Sequence, residues 1–548
     1  MEIIKKAIEC HKKGDFTQAE EYYKLYLTRH PKESKAYHLL GAMYMQKGDL
    51  SLAAKTLEQA YLLESSIPIE TDLALCYYKA ENFSKAFEHL KNIVNTSNIS
   101  KDENKILLET ISKCAGKLNK QEECLKYLIQ SIDSDENDIF KFREIANLAF
   151  DCEQFDIAKK YFKKTIEMCP DDFVAHNNLG LVYEYTNDFD NAEAAYRKAI
   201  DIRPNLDPYY NLSIILKRKK RYKESLEVLM ETKKFKTTDF EKFNHAFGLL
   251  HLIQKDFSGY RPYMSYTRQK YTKDMELWWQ GGADKNATLV ICATEGYGDI
   301  IMFTRYLDFI NAEDFKQVII IVPKELLDLY TYNFPHFKVL EMGTFDSISY
   351  NAGTILMDLP LIFNLDFEHI PSSNKYLLSP PEYTEKWQNK FGKEKGDKKL
   401  NIGLFFAGNT KDKRTLRNRK VPFKELLPLL EIENVNFYSL QPENTFKTEF
   451  EGYSIKDLSS EIKNFSDTAA IIDEMDIVIS VDSSVIHLAG ALGKKAYLML
   501  PYSADWRWFD DTKSTPWYDS VQIFRQQKEG DWPPVIYEIK QNLEKIIN

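Results

Sequence analysis

The sequence predicts an α-solenoid followed by an α/β region of two doubly wound halves. Three observations predict this: a period near 34 residues in the first half, a change in backbone composition near residue 280, and short apolar runs after residue 286. Residues 1–280 hold 7 glycines and 6 prolines, whereas residues 281–548 hold 14 and 13. Turns between strands and helices use Gly and Pro more than stacked helices do, so two different architectures meet near residue 280.

Small residues recur through the first region at spacings of 33 to 38 residues: Ala19, Ala53, Ala86, Cys124, Ala158, Ala192 and Ser225. A large apolar side chain follows each of them four residues later: Tyr23, Leu57, Leu90, Leu128, Phe162, Tyr196 and Leu229. This pattern is typical of the tetratricopeptide repeat, whose helix pairs bury their apolar faces by stacking on their neighbours. We predict seven units within residues 1–270, with a degenerate eighth helix pair around 241–270 as a cap.

The repeated small and aromatic residues are interpreted as packing residues, so any function lies on the concave surface of the solenoid. Solenoids of this kind hold extended peptides or protein partners. We therefore expect a protein partner on the repeat groove.

Composition excludes several classes of protein. The net charge of −9 argues against nucleic acid as a partner. No apolar stretch approaches the roughly 20 residues that span a bilayer, and the amphipathic start does not resemble a signal peptide, so we expect a cytoplasmic protein without a membrane span. The seven cysteines contain no CxxC pair, which predicts neither a disulfide framework nor a metal site.

After residue 286 the apolar runs read as buried parallel strands at 287–293, 318–322, 353–358, 401–406, 435–440, 476–481 and 495–500. Helices are predicted between them at 299–312, 323–333, 422–432, 466–475 and 484–493. The charged stretch 391–399 divides them into two Rossmann-like halves, 286–390 and 400–548. A ligand is expected in the cleft between the halves, where the strands end.

The first candidate site is the loop from Glu295 to Asp299, which joins a strand to a helix. Gly296, Tyr297 and Gly298 would let the backbone approach a ligand closely. Asp299 is open to two interpretations: it caps the helix, or its carboxylate faces the cleft and takes a proton from an acceptor hydroxyl.

Two further candidates lie in the second half. The cations at 411–420, which include Arg419 and Lys420, either bind phosphate or are solvated loop charges. The segment from Asp482 through Ser483 and Ser484 to His487 ends a strand and opens a helix. Its residues either cap and pack that helix or form an anion cradle suited to a nucleotide phosphate.

Three segments carry a resemblance to a known family. The loop EGYGD at 295–299, the segment 464–500 and the tail 506–526 resemble bacterial proteins that join tetratricopeptide repeats to a GT-B glycosyltransferase module. That module is similar to the ADP-heptose:lipopolysaccharide heptosyltransferases and, more distantly, to O-linked N-acetylglucosamine transferase. Some proteins of this layout glycosylate flagellin.

The resemblance implies inverting transfer from a nucleotide sugar without a structural metal and with no other cofactor. It implies that Asp299 is the base, and that the segment from Asp482 to His487 is the donor phosphate loop, with Ser483 where the family usually has Thr. Gln441 falls where the family keeps a Leu-Gln pair near the nucleotide. Arg419 matches an arginine that is usually followed by Ser, and here Lys420 follows it.

The leading hypothesis is therefore a protein glycosyltransferase that modifies Ser or Thr of an acceptor held by the repeats, with flagellin suspected. Two alternatives stay open. The module could be catalytically inactive and the protein a scaffold, or the acceptor could be a lipopolysaccharide-type glycan. The repeats count against a glycan acceptor, since a small glycan gives no reason for a protein-binding solenoid.

Overall fold

The fold is taken from a computed structural model, which describes residues 2–95, 99–132, 137–235, 240–264, 278–344, 348–371, 375–392, 399–408, 420–441, 450, 452–510 and 513–547. The chain forms two compact units, Met1–Asn211 and Leu212–Asn548, and each is described by itself. The domain limits predicted above stay predictions.

The first unit consists of consecutive helix pairs: α1 (Glu2–Lys12) with α2 (Phe16–Arg29), α3 (Ser34–Lys47) with α4 (Leu50–Leu63), α5 (Ile67–Lys79) with α6 (Phe83–Val94), α7 (Lys101–Lys117) with α8 (Gln121–Gln130), α9 (Ile139–Asp151) with α10 (Phe155–Met168), and α11 (Phe173–Tyr185) with α12 (Phe189–Ile202). Helix α13 (Leu206–Arg218) crosses from the first unit into the second.

Close contacts between a small and a large residue hold each pair together. A Cβ atom on Gly41 of α3 would lie 2.6 Å from Leu57 Cγ of α4, and one on Gly180 of α11 would lie 2.5 Å from Tyr196 Cε1 of α12. Glycine is therefore needed at both positions. Leu57 and Tyr196, which the sequence predicts as packing residues, are fully buried and pack on these glycines.

The turn inside each pair repeats as well. One residue with positive φ stands in every turn, at Gly14, Gly48, Glu81, Asn119, Glu153, Asn187, Lys220 and Lys255. In several repeats an Asp or Asn follows and caps the second helix; Asp15, for example, accepts a hydrogen bond from the Gln18 amide. Lys255 is the eighth member of the series, although the sequence pattern has become weak there.

The second unit begins with the remaining repeats. It contains α14 (Tyr222–Glu231) and α15 (Phe240–Ile253), and a further helix starts at Tyr260 after the turn at Lys255. The predicted eighth helix pair is thus present, although its residues 265–270 lie outside the described residues. The Tyr260 hydroxyl donates a hydrogen bond to the Met357 carbonyl, which ties this pair to the α/β part of the same unit.

The first sheet is parallel and has four strands, β1 (Asp284–Cys292), β2 (Phe315–Val322), β3 (Lys338–Glu341) and β4 (Ala352–Ile355), in the order β3-β2-β1-β4. Its helices are α16 (Tyr297–Phe303), α17 (Leu327–Asn333) and the short α18 (Leu359–Ile362). The predicted strand 353–358 is too long, because the chain turns into a 3-10 helix at Leu356–Asp358. The predicted helix 299–312 likewise ends early and continues as a 3-10 helix at Thr304–Phe309.

The second sheet is also parallel. Its strands are β5 (Leu400–Phe405), β6 (Val435–Ser439), β7 (Ile455–Asp457), β8 (Ile477–Val481), β9 (Ala496–Leu500) and β10 (Val521–Arg525). Their order is β10-β9-β8-β5-β6-β7, which is the doubly wound order of a Rossmann fold. The helices of this part are α19 (Pro381–Gly392), α20 (Phe423–Leu430), α21 (Phe465–Asp473), α22 (Ser484–Ala491) and α23 (Pro533–Ile547).

One hydrophobic core runs through both sheets, because the same cluster of buried side chains contains residues of β1, β2, β5, β8 and β9. All seven predicted strands are present. Strands β3, β7 and β10 and helices α18, α19 and α23 lie outside the predicted elements. Within the ranges given above, no helix has the length and apolar composition needed to cross a lipid bilayer.

Candidate functional site

The candidate site lies where the two sheets meet. Helix α16 follows β1 and packs directly against helix α22, which follows β8. Both helices therefore start at carboxyl ends of parallel strands, where α/β folds bind their ligands. A Cβ atom on Gly298 would lie 2.8 Å from Cδ2 of His487, so glycine allows this close approach. The predicted glycine loop and the predicted Asp482–His487 segment are thus brought together.

Asp299 is not the cap of its helix. Gly296 occupies the cap position, and Asp299 is the third residue of α16. The side chain of Asp299 instead forms an ion pair with Nη2 of Arg507 and is 23% exposed. The capping interpretation is therefore wrong: Gly296 is the cap residue of this helix, and the Asp299 carboxylate pairs with a cation of the second half.

Arg507 is the buried cation of the site. It lies in a 3-10 turn (Trp506–Trp508) after β9, and Asp505 caps that turn. Its Nη1 atom is 2.5 Å from Asp505 Oδ1, and its Nε atom has no hydrogen-bond partner. Burial alone would lower the pKa of Arg507, but the charges of Asp299 and Asp505 outweigh burial and hold that pKa well above its usual value.

His487 is buried, with 3% of its surface exposed. Its Nδ1 atom shares a hydrogen bond of 2.9 Å with the Tyr518 hydroxyl, and its ring stacks on Trp508. The Nε2 atom lies 3.9 Å from Oδ1 of Asp482. The ring is thus oriented by Tyr518 and Trp508, with Nε2 directed at the carboxylate that ends β8.

The two serines lie at the start of α22. Ser483 occupies the cap position, but its side chain makes no hydrogen bond to the helix backbone. Its hydroxyl is 2.9 Å from the hydroxyl of Ser480 instead. Ser484 is the first residue of the helix. The Ser483 hydroxyl therefore does not satisfy the amide groups of the helix start.

Two of the other predicted residues lie beside the end of β5. Gln441 donates a 3.2 Å hydrogen bond from Nε2 to the Ala407 carbonyl, while its buried Oε1 atom has no hydrogen-bond partner among the described residues. Lys420 pairs with Ala407 in an isolated bridge, which places it next to Gln441. Arg419 and the rest of the predicted basic cluster lie outside the described residues.

Tyr297 lies at the edge of the site and contacts both halves. Its ring centroid is 4.9 Å from that of Phe465, and Glu325 lies close enough to its hydroxyl to act on it electrostatically. Burial, and secondarily Glu325, raises the pKa of Tyr297 to about 12, so its hydroxyl keeps its proton at neutral pH.

Arg305 is a second buried cation that is absent from the sequence predictions. It donates hydrogen bonds to the carbonyl groups of Met302, Pro371 and Trp517 and to the Tyr376 hydroxyl. These partners come from the first half, from the connection between the halves and from the loop before β10. The available signal was one arginine within the mainly apolar stretch 300–307, which reads IIMFTRYL.

A second polar feature lies in the first unit. Asn211 donates to Asn177 (3.1 Å), Asn177 to Asn178 (3.2 Å) and Asn178 to Asn147 (3.0 Å). We call these four residues the amide chain. They lie on the first helices of three consecutive repeats, and each is at least partly exposed.

Two stretches of the chain match models of the tetratricopeptide repeat, residues 12–66 and residues 173–206. The chain therefore contains tetratricopeptide repeats, a class of module that binds other proteins.

Among known proteins, Protein FlbA of Caulobacter vibrioides is 27% identical to this chain over 290 residues. The match covers 47% of this chain and 46% of FlbA, so the chain spans less than half the length of that relative.

Two solved structures are similar to the repeat region. YrrB, described as a TPR protein with an unusual peptide-binding site, is 20% identical with a TM-score of 0.27, covering 34% of this chain and 95% of YrrB. The C-terminal part of a TPR repeat-containing protein from Cytophaga hutchinsonii is 12% identical with a TM-score of 0.30, covering 44% and 98% of the two chains. The repeat assignment rests on the family models and on the recurring helix pairs.

Proposed function

We propose that this protein is an inverting, metal-independent GT-B glycosyltransferase that moves a sugar from a nucleotide donor to a Ser or Thr hydroxyl of a protein held by the repeats. The observation that carries the proposal is the contact between α16 and α22, which brings Asp299 of the first half together with Arg507, Asp482 and His487 of the second.

The order of the strands supports a nucleotide site in the second half. In the order β10-β9-β8-β5-β6-β7, strands β6 and β7 are added on one side of β5, and strands β8, β9 and β10 are added on the other side. The strand order therefore reverses between β5 and β8. Open α/β sheets bind nucleotides in the crevice at this reversal. Asp482, Ser483 and Ser484 follow β8, while Lys420 and Gln441 lie beside the end of β5, so the proposed donor residues flank that crevice.

In the proposed reaction Asp299 takes the proton from the acceptor hydroxyl. The oxygen of that hydroxyl attacks the anomeric carbon of the sugar at the same time. The bond between that carbon and the donor phosphate breaks, and the nucleotide leaves with the negative charge. The start of α22, Lys420 and His487 would stabilise this charge without a metal. Gly296, Tyr297 and Gly298 would line the acceptor side of the donor.

The amide chain supports a protein acceptor. A side-chain amide carries two N–H donors and an acceptor oxygen, so each Asn can form more hydrogen bonds than the one that links it to its neighbour. Amides spaced along consecutive repeats match the regular amide and carbonyl groups of an extended peptide. Flagellin is the acceptor that the family resemblance suggests.

The test is co-expression of the chain with flagellin, followed by intact-mass measurement of the flagellin. The proposal expects an added mass equal to one or more sugars. Replacing Asp299 by Ala is expected to slow transfer by a factor of roughly 100 to 10,000, the usual contribution of a general base. Unmodified flagellin in the presence of the wild-type chain contradicts the choice of acceptor. Full transfer by Asp299→Ala contradicts the role of Asp299.

The second candidate is a protein-binding scaffold without catalysis. The ion pair between Asp299 and Arg507 favours it, because the carboxylate proposed as the base is already engaged. Thermal shift against ADP-, UDP-, GDP- and CMP-linked sugars separates the two candidates. A transferase is stabilised by its donor, by about 2.7 kcal/mol at one hundred times the dissociation constant. No stabilisation by any of these compounds supports the scaffold. Modification of a lipopolysaccharide-type glycan in place of flagellin would instead support the glycan acceptor.

A further inference from the structure

We infer that Arg507 is a positioning residue that holds Asp299 ionised and turned towards the junction of the two halves. The inference rests on the proposed transferase function and deepens it, because it assigns the group that prepares the base.

The guanidinium of Arg507 contacts a carboxylate of each half. Its Nη2 atom pairs with Asp299 of α16, and its Nη1 atom lies 2.5 Å from Oδ1 of Asp505 in its own turn. Oδ1 of Asp505 also accepts a 3.3 Å hydrogen bond from the backbone amide of Arg507, and this bond fixes the turn. One end of the arginine is thus anchored in the second half while the other reaches a carboxylate of the first half.

The Arg507 side chain is buried, with 6% of its surface exposed. Its guanidinium carbon lies 4.8 Å from the centre of the Trp506 ring. A charge pair in such surroundings is screened less by water and salt than a surface pair. Removing the guanidinium takes a positive charge away from a half-buried carboxylate, which favours the protonated form of Asp299.

Other charged or titratable groups also act at this place. Asp482 and Asp505 add negative charge around Arg507, and the eighth helix pair contributes Tyr263 and His245. Burial lowers the pKa of His245, and burial raises the pKa of Tyr263, so both are neutral near pH 7. Tyr260 also lies close enough to Asp299 for the two groups to interact electrostatically. Arg507 is therefore a cation that interacts with three carboxylates at once.

The local backbone agrees with a specialised role. Phe509, two residues after Arg507, is buried and has a φ of 42°, which is unfavourable for an aromatic residue. The carbonyl groups of Trp508 and Phe509 accept hydrogen bonds from Arg525 of β10. Such unfavourable conformations persist where the surrounding structure imposes them, and they cluster at functional sites.

The experiment compares the wild-type chain with Arg507→Gln and Arg507→Lys. Transfer to flagellin is followed from pH 5 to 9 with the member of the ADP-, UDP-, GDP- and CMP-sugar panel that the wild type uses. For Arg507→Gln we expect the acidic limb of kcat/KM to move up by about 1 to 3 pH units and kcat to fall roughly 100-fold. For Arg507→Lys we expect a limb close to that of the wild type with a reduced kcat, because the charge is kept and the fork is lost.

The matched control is Lys386→Met. Lys386 pairs with the buried Asp467 at 2.5 Å, so this variant removes a cation from a buried carboxylate other than Asp299. It is expected to lose stability without any shift of the acidic limb. A folded Arg507→Gln enzyme with the wild-type limb overturns the inference. If Arg507→Gln does not fold, a wild-type kcat in Arg507→Lys overturns it instead.

The failure of this inference is distinguishable from that of the proposed function. A wild-type chain that transfers no sugar from any donor of the panel contradicts the transferase itself. A wild-type chain that transfers sugar, together with variants that keep its pH profile and kcat, contradicts only the role of Arg507.

Discussion

Gly298 and His487 touch across the junction of the two sheets, and the contact leaves no room for a methyl group on the glycine. We therefore predict that Gly298→Ala separates α16 from α22 or displaces the His487 ring. Overpacking of this kind costs about 1 to 3 kcal/mol. The measurement is the denaturant midpoint of the second unit, followed by tryptophan fluorescence, since all seven tryptophans lie at or after Trp278.

The control for that variant is Gly296→Ala in the same loop. A Cβ atom on Gly296 would have Asp299 Oδ2 as its nearest neighbour, at 3.9 Å, and its φ of −62° suits any residue. We expect its midpoint to stay close to that of the wild type. Equal losses in both variants would mean that the loop is sensitive as a whole and that contact with His487 is not the cause.

In the repeats, Gly180→Ala is expected to destabilise the first unit, because the new methyl group would meet the ring of Tyr196. The cost should again be about 1 to 3 kcal/mol. Gly116→Ala is the matched change, since a Cβ atom there meets only Cys124 Sγ at 3.6 Å. Alanine favours a helix over glycine by about 1 kcal/mol, so this variant should be neutral or more stable. Circular dichroism during thermal unfolding gives both values.

Glu20 gives the first unit a pH-dependent stability. Its carboxylate accepts hydrogen bonds from Lys24, Tyr44 and Lys47, and these partners lower its pKa to about 2, with Lys24 the largest cause. The stabilisation is present above the usual pKa of 4.5 and is lost as the pH falls towards 2. We expect Glu20→Gln to lower the free energy of unfolding by only about 1 kcal/mol at pH 7, since solvent weakens ion pairs with exposed lysines.

The difference in the free energy of unfolding between Glu20→Gln and the wild type should shrink as denaturation is repeated from pH 5 down to pH 2. Glu9→Gln serves as the comparison, since the pair of Glu9 with Lys13 is fully exposed and solvent screens it. A constant gap for Glu20→Gln across that pH range would rule out the ionised carboxylate as its source.

The amide chain predicts a specific effect on acceptor binding. The double variant Asn178→Ala with Asn211→Ala removes two of its four amides and is expected to weaken flagellin binding at least tenfold, since each lost hydrogen bond is worth about 1 kcal/mol. Asn191→Ala is the control, because Asn191 lies in α12 and bonds to Asp188 of its own turn. The affinities are measured as binding of each variant to flagellin immobilised on a surface. Equal affinities of the double variant and the wild type would place the acceptor elsewhere.

Much of the fold follows from local sequence. The seven predicted strands are largely buried, mainly apolar runs, and the repeats carry a period that needs no tertiary information. Strands β3 and β7 have only four and three residues and are half-buried, so they carry no clear pattern. Strand β10 reads VQIFR, an alternation at the sheet edge that is too short to stand out.

The candidate site is predicted in part. Glycines and a Ser pair at strand ends are local signals, and the structure brings both to one junction. The partner of Asp299 could not be predicted in this way, because Arg507 lies in a turn after another strand and the pair depends on how the two halves pack. The apolar surroundings of Arg507 made it resemble a core position, and burial of a charge becomes visible only together with its carboxylates.

Tyr260 links the eighth helix pair to the α/β part of the second unit through its hydrogen bond to Met357, and its ring packs on Phe303. Tyr260→Phe should lower the stability of the second unit by about 1 to 2 kcal/mol, the cost of leaving a buried acceptor without its donor. Hydrogen exchange should rise in α15 and in β4 together. Faster exchange in α15 alone would mean that the helix pair unfolds independently of the sheet.

The division of the chain at Asn211 also bears on how such proteins exchange parts over evolution. The repeat period continues to Lys255, but α14 and α15 belong to the compact unit that holds both sheets. A recombination point placed where the repeat pattern fades would leave the apolar faces of these helices without their partners. The connection at Pro204–Asn205, just before α13, is a better boundary for inheritance. Repeats could then be gained or lost before it while the sheets keep the helices that fold with them.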